Sequence, residues 1–305
     1  MVKHVEFFHG AIFGPKDWDL RRDVDAVKKL AKSWGATGIE FKIEGVEPPE
    51  RRGMTYLPPE KVDARAIEDL VKELKREQFA LNLHGSKFII PLILDPKYLG
   101  FEFLTNFEKV IVHQSYEREF VQALDERITR EEMGYECHSI NREQVLLENH
   151  TKSKTWLTEI NKIILGNYQR QFGGVFDIGH FFLQFYKEEK YVKELDDPKE
   201  YFRYALRGGR ELNYGFLNQL AAPIQEVHAH GCRPAGTYTR DHCLIDNKVM
   251  KSKRAKKIYA ITKYIIQRAP VEIVNAELST DFQKADNATD SYKITKQNFK
   301  KRFLS

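Results

Sequence analysis

Short apolar runs that end in a metal-binding or acid–base side chain recur along this chain. Six such strand-like runs stop on His, Asp or Glu, at spacings of 29 to 51 residues. The terminal residues are His84, His113, Glu148, Asp177, His228 and Glu277. These side chains fill an apolar core poorly, but they bind metals and transfer protons well. The pattern predicts that successive strands deliver their C-terminal ends to one place, as in a (β/α)8 barrel.

Strand and helix patterns alternate along the whole chain. Strands are predicted at 4–8, 38–43, 79–84, 108–113, 144–149, 173–178, 223–229 and 270–277. Amphipathic helices are predicted at 23–34, 64–78, 116–133, 152–168, 198–220, 249–268 and 290–303. Alternation of this kind favours a parallel sheet, and 305 residues suit a single α/β domain, a (β/α)8 TIM barrel over 1–305. The alternative is an open doubly wound sheet, but GAIFGPKD at 10–17 lacks its Gly-rich motif.

Composition indicates which cellular compartment and which binding partners to expect. Three cysteines without a CxxC pair indicate a reducing compartment, and we expect a cytoplasmic protein. The N-terminus has no signal-peptide pattern and no run of 18 apolar residues exists, so no membrane partner is expected. The net charge of +5 and the basic runs at 248–257 and 296–303 are compatible with DNA, although solvated helix faces are the commoner explanation.

Two motifs each place two candidate metal ligands a few residues apart. FDIGH places Asp177 and His180 three residues apart, where they can contact one ion or two neighbouring ions. Alternatively, Asp177 caps the following helix and His180 is an ordinary residue of its first turn. VHAHG places His228 and His230 on one face of a strand, which favours metal binding, although one of two such histidines often only supports the ligands.

The remaining candidates are single residues. A lone histidine at a strand end, such as His84 or His113, is more often a structural residue than a ligand. Glu148 could also be a surface residue leaving its strand. His242, in the segment 239–247 after the seventh strand, could reach back over the barrel mouth or belong to a polar loop. The GxSxG, P-loop and HExxH motifs do not occur.

Taken together, five motifs resemble the xylose-isomerase-like barrels, a superfamily that includes endonuclease IV and many sugar isomerases and epimerases. The motifs are LEN (147–149), FDIGH (176–180), VHAH (227–230), RDHCLID (240–246) and the last strand ending in Glu277. They cover the second half of the chain well and the first half through single residues. The resemblance implies a (β/α)8 barrel with a divalent metal at the C-terminal face of its strands.

The resemblance to endonuclease IV implies hydrolysis of a phosphodiester in DNA at a site with up to three zinc ions. The implied ligands are His84, His113, Glu148, Asp177, His180, His228, His242 and Glu277. Glu148 would bridge metals and orient or deprotonate the attacking water, and Glu277 and His180 would complete the catalytic set. We prefer this hypothesis from the sequence because the histidines exceed what a one-metal site needs.

The resemblance to sugar isomerases and epimerases implies a single Mn or Mg ion instead. Its ligands would be Glu148, Asp177, His228 and Glu277. Glu148 and Glu277 would shuttle a proton at a carbon beside a carbonyl of a small sugar or sugar phosphate, and His180 would contact a substrate hydroxyl. A third hypothesis is a barrel that binds a metal or ligand without turnover, since the chain has HQS at 113–115 and Arg240 where endonuclease IV has other residues.

Overall fold

The computed structural model describes most of the predicted elements. The described residues are 5–13, 20–43, 64–85, 89–113, 117–135, 140–148, 172–181, 214–235, 238–243, 253–278 and 286–305. Their strands are β1 (Glu6–Phe13), β2 (Gly38–Ile43), β3 (Ala80–Gly85), β4 (Lys109–His113), β5 (Val145–Glu148), β6 (Gly173–Asp177), β7 (Ile224–His228), β8 (Gly231–Ala235), β9 (Tyr238–Cys243) and β10 (Ile273–Ala276). Their α-helices are α1 (Leu20–Trp34), α2 (Ala64–Arg76), α3 (Ile89–Leu94), α4 (Glu117–Glu132), α5 (Tyr214–Ala221), α6 (Lys253–Arg268) and α7 (Ala288–Phe299).

Eight of the strands form a closed barrel. Their order around it is β1, β10, β7, β6, β5, β4, β3, β2, and the neighbouring pairs with a described register run parallel. The predicted (β/α)8 barrel is therefore confirmed, and the open doubly wound sheet is excluded. Parallel strands of one barrel end on the same face of that barrel. That one domain spans 1–305 stays a prediction.

Two segments differ from the sequence prediction. The first strand was predicted to end at residue 8, but β1 continues to Phe13 because its pairing with β2 runs on to Phe13 opposite Ile43. The polar His9 and Gly10 interrupt the apolar run without ending the strand. No strand was predicted in the segment 239–247, but its first part belongs to β9, which pairs antiparallel with β8.

The predicted helix at 152–168 lies outside the described residues, as does the first part of the helix predicted at 198–220. The described part of the segment between β3 and β4 is helical only over short stretches. It contains the short α3 and a 3-10 helix at Phe101–Asn106. No helix among the described residues is long and apolar enough to cross a membrane.

The chain divides into two compact units, one of Phe8–Leu147 and one of Met1–Phe7 with Glu148–Ser305. In the first unit, the ring of the buried Phe8 lies against Gly38, and α1 and α2 bury apolar faces at spacings of three and four residues. In the second unit, the ring of Phe7 packs edge-on against Phe299 of α7 at 6.3 Å. The turn of π-helix at Lys300–Leu304 then places Phe303 5.3 Å from Phe299.

Candidate metal centre

Three carboxylates and one imidazole lie at the C-terminal ends of strands in the second unit. Glu148, Asp177 and His228 are the last residues of β5, β6 and β7, and Glu277 directly follows β10. All four side chains are buried, with at most 3% of any residue exposed. Ionisable groups are rarely buried to this degree unless they are paired or bind a metal.

The carboxylates converge on one nitrogen. Nδ1 of His228 lies 3.2 Å from Oε2 of Glu277, 3.6 Å from Oε1 of Glu148 and 3.6 Å from Oδ2 of Asp177. Strand register explains part of this arrangement, because Asp177 on β6 pairs directly with His228 on β7. Side chains of laterally paired residues in a parallel sheet point to the same face, so Asp177 and His228 lie side by side.

Asp177 has two roles that the sequence presented as alternatives. Its Oδ1 accepts a hydrogen bond from the backbone N–H of His180 at 2.6 Å, which caps the helical turn after β6. Its Oδ2 lies 3.4 Å from Nδ1 of the same His180. The cap fixes the carboxylate, and the same short turn brings Nδ1 of His180 to 3.3 Å from Oε1 of Glu148.

His230 contacts the same aspartate from the end of β7. Its Nε2 lies 2.8 Å from Oδ2 of Asp177, and its ring meets the ring of His180 edge-on at 6.0 Å. Because His230 is two residues beyond His228, both side chains lie on the face that looks into the barrel. The two histidines that the sequence places on one face of the strand therefore both lie near the carboxylate of Asp177.

The electrostatics favour an ionised Asp177. Burial by itself raises the pKa of its carboxyl, but the charges that His180 and His230 can carry, and hydrogen bonds from His228 and His230, lower that pKa well below its ordinary value. Glu148 and Glu277 add two more buried carboxyl groups beside His228, so ionised carboxylates concentrate negative charge at this place. A divalent cation would balance that charge.

The donor atoms fit such a cation. Among the described residues of this unit, Glu148, Asp177 and His180 form one group whose ligand atoms lie within 4.8 Å of one another, and Asp177, His230 and Glu277 form another. Carboxylate oxygens with imidazole nitrogens suit Zn, Mn or Mg, depending on the ligand number and geometry. The two groups share Asp177, so the site has donors for more than one ion.

The other predicted ligands lie in different parts of the chain. His84 is buried in β3 of the first unit, and its ring nitrogen lies within 4.8 Å of a carboxylate oxygen of Glu40 on β2. The backbones of His113 and His242 belong to β4 and β9, and their side chains lie outside the described part of the chain. The assignment of these three histidines as ligands stays a prediction.

Two buried glutamates were missed by the sequence reasoning. Glu40 and Glu226 are both almost fully buried within strands. The signal for Glu226 was present in QEVHAH, because Glu226 lies two residues before His228 and so shares its face. The signal for Glu40 was weaker, since one glutamate in GIEFKI could equally have faced solvent.

Comparisons with known proteins give likenesses of fold. No family model matches the chain, and no curated protein matches it. A solved xylose isomerase domain containing protein from Salmonella typhimurium is similar, with 11% identity, 97% of each chain covered and a TM-score of 0.49.

Two further solved barrels show likenesses of the same order. D-allulose 3-epimerase from Methylomonas sp., solved in complex with D-allulose, has 14% identity over 99% of this chain and 98% of that one, with a TM-score of 0.44. Dihydropteroate synthase from Anaplasma phagocytophilum has 11% identity over 99% of each chain, with a TM-score of 0.41.

Proposed function

We propose that the protein is a divalent-metal-dependent enzyme that moves a proton at a carbon beside a carbonyl, as a sugar or sugar-phosphate isomerase or epimerase does. One observation carries the proposal: Nδ1 of His228 lies within 3.6 Å of a carboxylate oxygen from each of Glu148, Asp177 and Glu277. Three carboxylates and one imidazole are the types of ligand that a single divalent ion can take.

The two glutamates provide acid–base groups from different directions. In the barrel order, β6 and β7 lie between β5, which carries Glu148, and β10, which precedes Glu277. Two carboxylates that approach one substrate from separated strands can remove and return a proton. His180, which is slightly more exposed than the other donors at 8%, would contact a substrate hydroxyl. A bound Mn or Mg ion would polarise the substrate oxygens.

A second function has its own supporting observation. Nδ1 of His180 lies 3.3 Å from Glu148 and 3.4 Å from Asp177, which adds donors beyond those that one ion requires. Such a surplus favours phosphodiester hydrolysis of the endonuclease IV type on DNA. Glu148 would then orient or deprotonate the attacking water, and zinc ions would stabilise charge on the phosphate and leaving oxygens.

Solvent deuterium exchange tests the proposed proton transfer, because the label enters the substrate whatever product forms. A panel of ketoses, aldoses and their phosphates in D2O with Mn, followed by proton NMR, should show exchange at a carbon beside the carbonyl. Glu148→Gln and Glu277→Gln should each lower the exchange rate by about 10²-fold or more. The matched control is Glu272→Gln, because Glu272 is exposed and lies directly before β10, the strand that precedes Glu277. This variant should exchange the substrate proton at the wild-type rate.

Metal analysis separates the two functions. Protein purified without chelators should contain about one Mn or Mg per chain and should not incise duplex DNA with an abasic site. Two or three zinc ions per chain with incision would overturn the isomerase proposal and support the hydrolase. A full metal complement with neither exchange nor incision would instead support a barrel that binds a ligand without turnover.

A further inference from the structure

We propose that the side-chain amide of Asn275 binds the substrate, with Nδ2 donating a hydrogen bond to the carbonyl oxygen and Oδ1 accepting one from the hydroxyl group on the next carbon. Asn275 lies in β10, two residues before Glu277, and the sequence alone assigned it no role. The inference deepens the proposed function and rests on it, because it assigns the substrate class as α-hydroxy aldehydes and ketones.

Strand register places Asn275 in one row with two residues of the candidate metal centre. Asp177 on β6 pairs with His228 on β7, and His228 pairs with Asn275 on β10. Laterally paired residues in a parallel sheet point to the same face, and neighbouring strands lie about 4.8 Å apart. The amide of Asn275 therefore lies on the face of the sheet that carries the carboxylate of Asp177 and the imidazole of His228.

The amide of Asn275 is buried without a hydrogen-bond partner. The residue is fully buried, and no group among the described residues forms a hydrogen bond with its Oδ1 or Nδ2. Asparagine is disfavoured in strands, and a buried amide costs free energy when its polar atoms make no hydrogen bond. An apolar side chain of the same shape would stabilise β10 better, so a ligand explains this amide and folding does not.

The amide gives the centre a hydrogen-bond donor that its three carboxylates lack, because ionised carboxylates only accept. When Glu148 or Glu277 removes a proton from the carbon beside a carbonyl, the C–H electron pair forms a carbon–carbon double bond and the carbonyl π pair moves onto the oxygen. That oxygen carries negative charge until a glutamate returns a proton to the carbon. A fixed N–H of Asn275 directed at this oxygen stabilises the charge.

The carbonyl oxygen of the amide specifies the substrate class. Oδ1 only accepts hydrogen bonds, so it requires a donor on the substrate. The two polar ends of an amide lie side by side, and so do a carbonyl oxygen and the hydroxyl group on the next carbon of a ketose or aldose. A substrate without that hydroxyl group leaves Oδ1 buried without a donor, which lowers its specificity constant.

Asn275→Leu provides the first test, because it removes both hydrogen-bonding groups and nearly keeps the size of the side chain. Deuterium exchange into the best substrate of the sugar panel, with saturating substrate and Mn, should be about 10²- to 10³-fold slower than in the wild type. Titration should show the wild-type affinity for Mn. The midpoint of urea unfolding should be unchanged or higher, since a buried amide without a partner is replaced by an apolar group.

Thr262→Val is the matched control. Thr262 in α6 is fully buried, and its hydroxyl group makes no hydrogen bond within the described part of the chain. This variant also replaces a buried polar group by an apolar one of similar size, but away from the strand ends. It should exchange the substrate proton at the wild-type rate.

An analogue of the best substrate that lacks the hydroxyl group beside the carbonyl tests the role of Oδ1. The wild type should exchange this analogue more slowly than the parent sugar, and Asn275→Leu should reduce the ratio of the two rates by about 10-fold. The same ratio in both proteins would reject the assigned substrate class.

The first test also separates a failure of the inference from a failure of the proposed function. If the wild type exchanges a sugar and Asn275→Leu exchanges it equally fast, only the role of Asn275 is rejected. A lower unfolding midpoint in Asn275→Leu would make the amide structural, and weaker Mn binding would mean that it acts through the ion. If the wild type with Mn exchanges no sugar of the panel, the proposed function fails and the inference fails with it.

Discussion

His9 is a buried histidine outside the candidate metal centre, and it should make the stability of the fold depend on pH. It lies in β1 near the ring of Trp34, and burial lowers its pKa to about 3. Between pH 6.5 and 3 the unfolded chain therefore binds a proton that the folded chain does not. The stabilisation is complete above pH 6.5 and is lost as the pH falls toward 3.

The substitution His9→Leu should remove this pH dependence. Between pH 7 and pH 5 the wild-type protein should lose about 2 kcal/mol more of its free energy of unfolding than the variant does. Urea denaturation at both pH values measures the difference, and the other titrating groups cancel in the comparison. Equal losses in the two proteins would mean that His9 is protonated in the folded state.

Gly38 lies where the packed ring of Phe8 leaves no room for a side chain. A Cβ at this position would fall 2.5 Å from Cε1 and 2.6 Å from Cε2 of the buried Phe8. Gly38→Ala should therefore lower the free energy of unfolding by about 1–3 kcal/mol, because closely packed side chains cannot move far enough to accommodate an added methyl group. The control is Gly174→Ala, where the nearest atom is the carbonyl oxygen of Pro223 at 3.5 Å.

Chemical denaturation of both glycine variants gives the comparison. Gly174→Ala should be close to wild type, and adding Phe8→Leu to Gly38→Ala should recover part of the loss. A Gly38→Ala protein as stable as the wild type would show that the Phe8 ring moves aside easily.

At the scale of elements, α1 and α2 are joined by one lysine. Nζ of Lys28 lies 2.7 Å from Glu73 and 3.7 Å from Glu77 on or beside α2, and 2.9 Å from Asp25 on α1. Hydrogen bonds from Lys28 to Glu73 and Asp25 raise the pKa of Lys28 above its ordinary value. The side chain of Lys28 is only 12% exposed, so solvent screens this network less than an ordinary surface pair.

Lys28→Met should cost about 1 kcal/mol of stability at low salt and less in 1 M salt. Lys72→Met is the matched control, because Lys72 is 56% exposed and contacts only acidic residues of its own helix in the described contacts. Denaturation at the two salt concentrations measures both effects. A loss that is unchanged in 1 M salt would point to packing of the lysine stem instead of charge.

At the scale of the whole molecule, cation binding should be linked to folding. The buried carboxylates repel one another in the absence of a counterion, and an ion that binds only the folded state stabilises it. At a free Mn concentration 100 times its Kd, the free energy of unfolding should rise by about 2.7 kcal/mol. Thermal unfolding with Mn and with a chelator measures this shift.

Asp177→Asn should remove most of the Mn-induced shift, since Asp177 belongs to both donor groups of the second unit. Asp290→Asn changes an exposed aspartate at the start of α7 and should keep the full shift. If Asp177→Asn also kept it, Mn would bind elsewhere on the protein.

The amino-acid sequence determined the barrel and the residue types at its strand ends. Hydrophobic periods of two and 3.6 residues are local properties of the sequence. They located most strands and helices of the described residues within a few residues. The bounds of β2, for example, agree with the prediction. Local patterns also placed Glu148, Asp177, His228 and Glu277 at strand ends, where the structure has them. They misplaced the end of β1 and did not predict β9, because pairing with a neighbouring strand decides where such segments begin and end.

Only the tertiary structure decided how these residues meet. Strand register aligned Asp177 with His228, and the orientation of one imidazole gave its Nδ1 to three carboxylates and its Nε2 to Glu226. The double use of Asp177, as a helix cap and as the partner of two histidines, was likewise invisible in FDIGH. Distances between residues far apart in sequence depend on register and ring orientation, and no local periodicity encodes either.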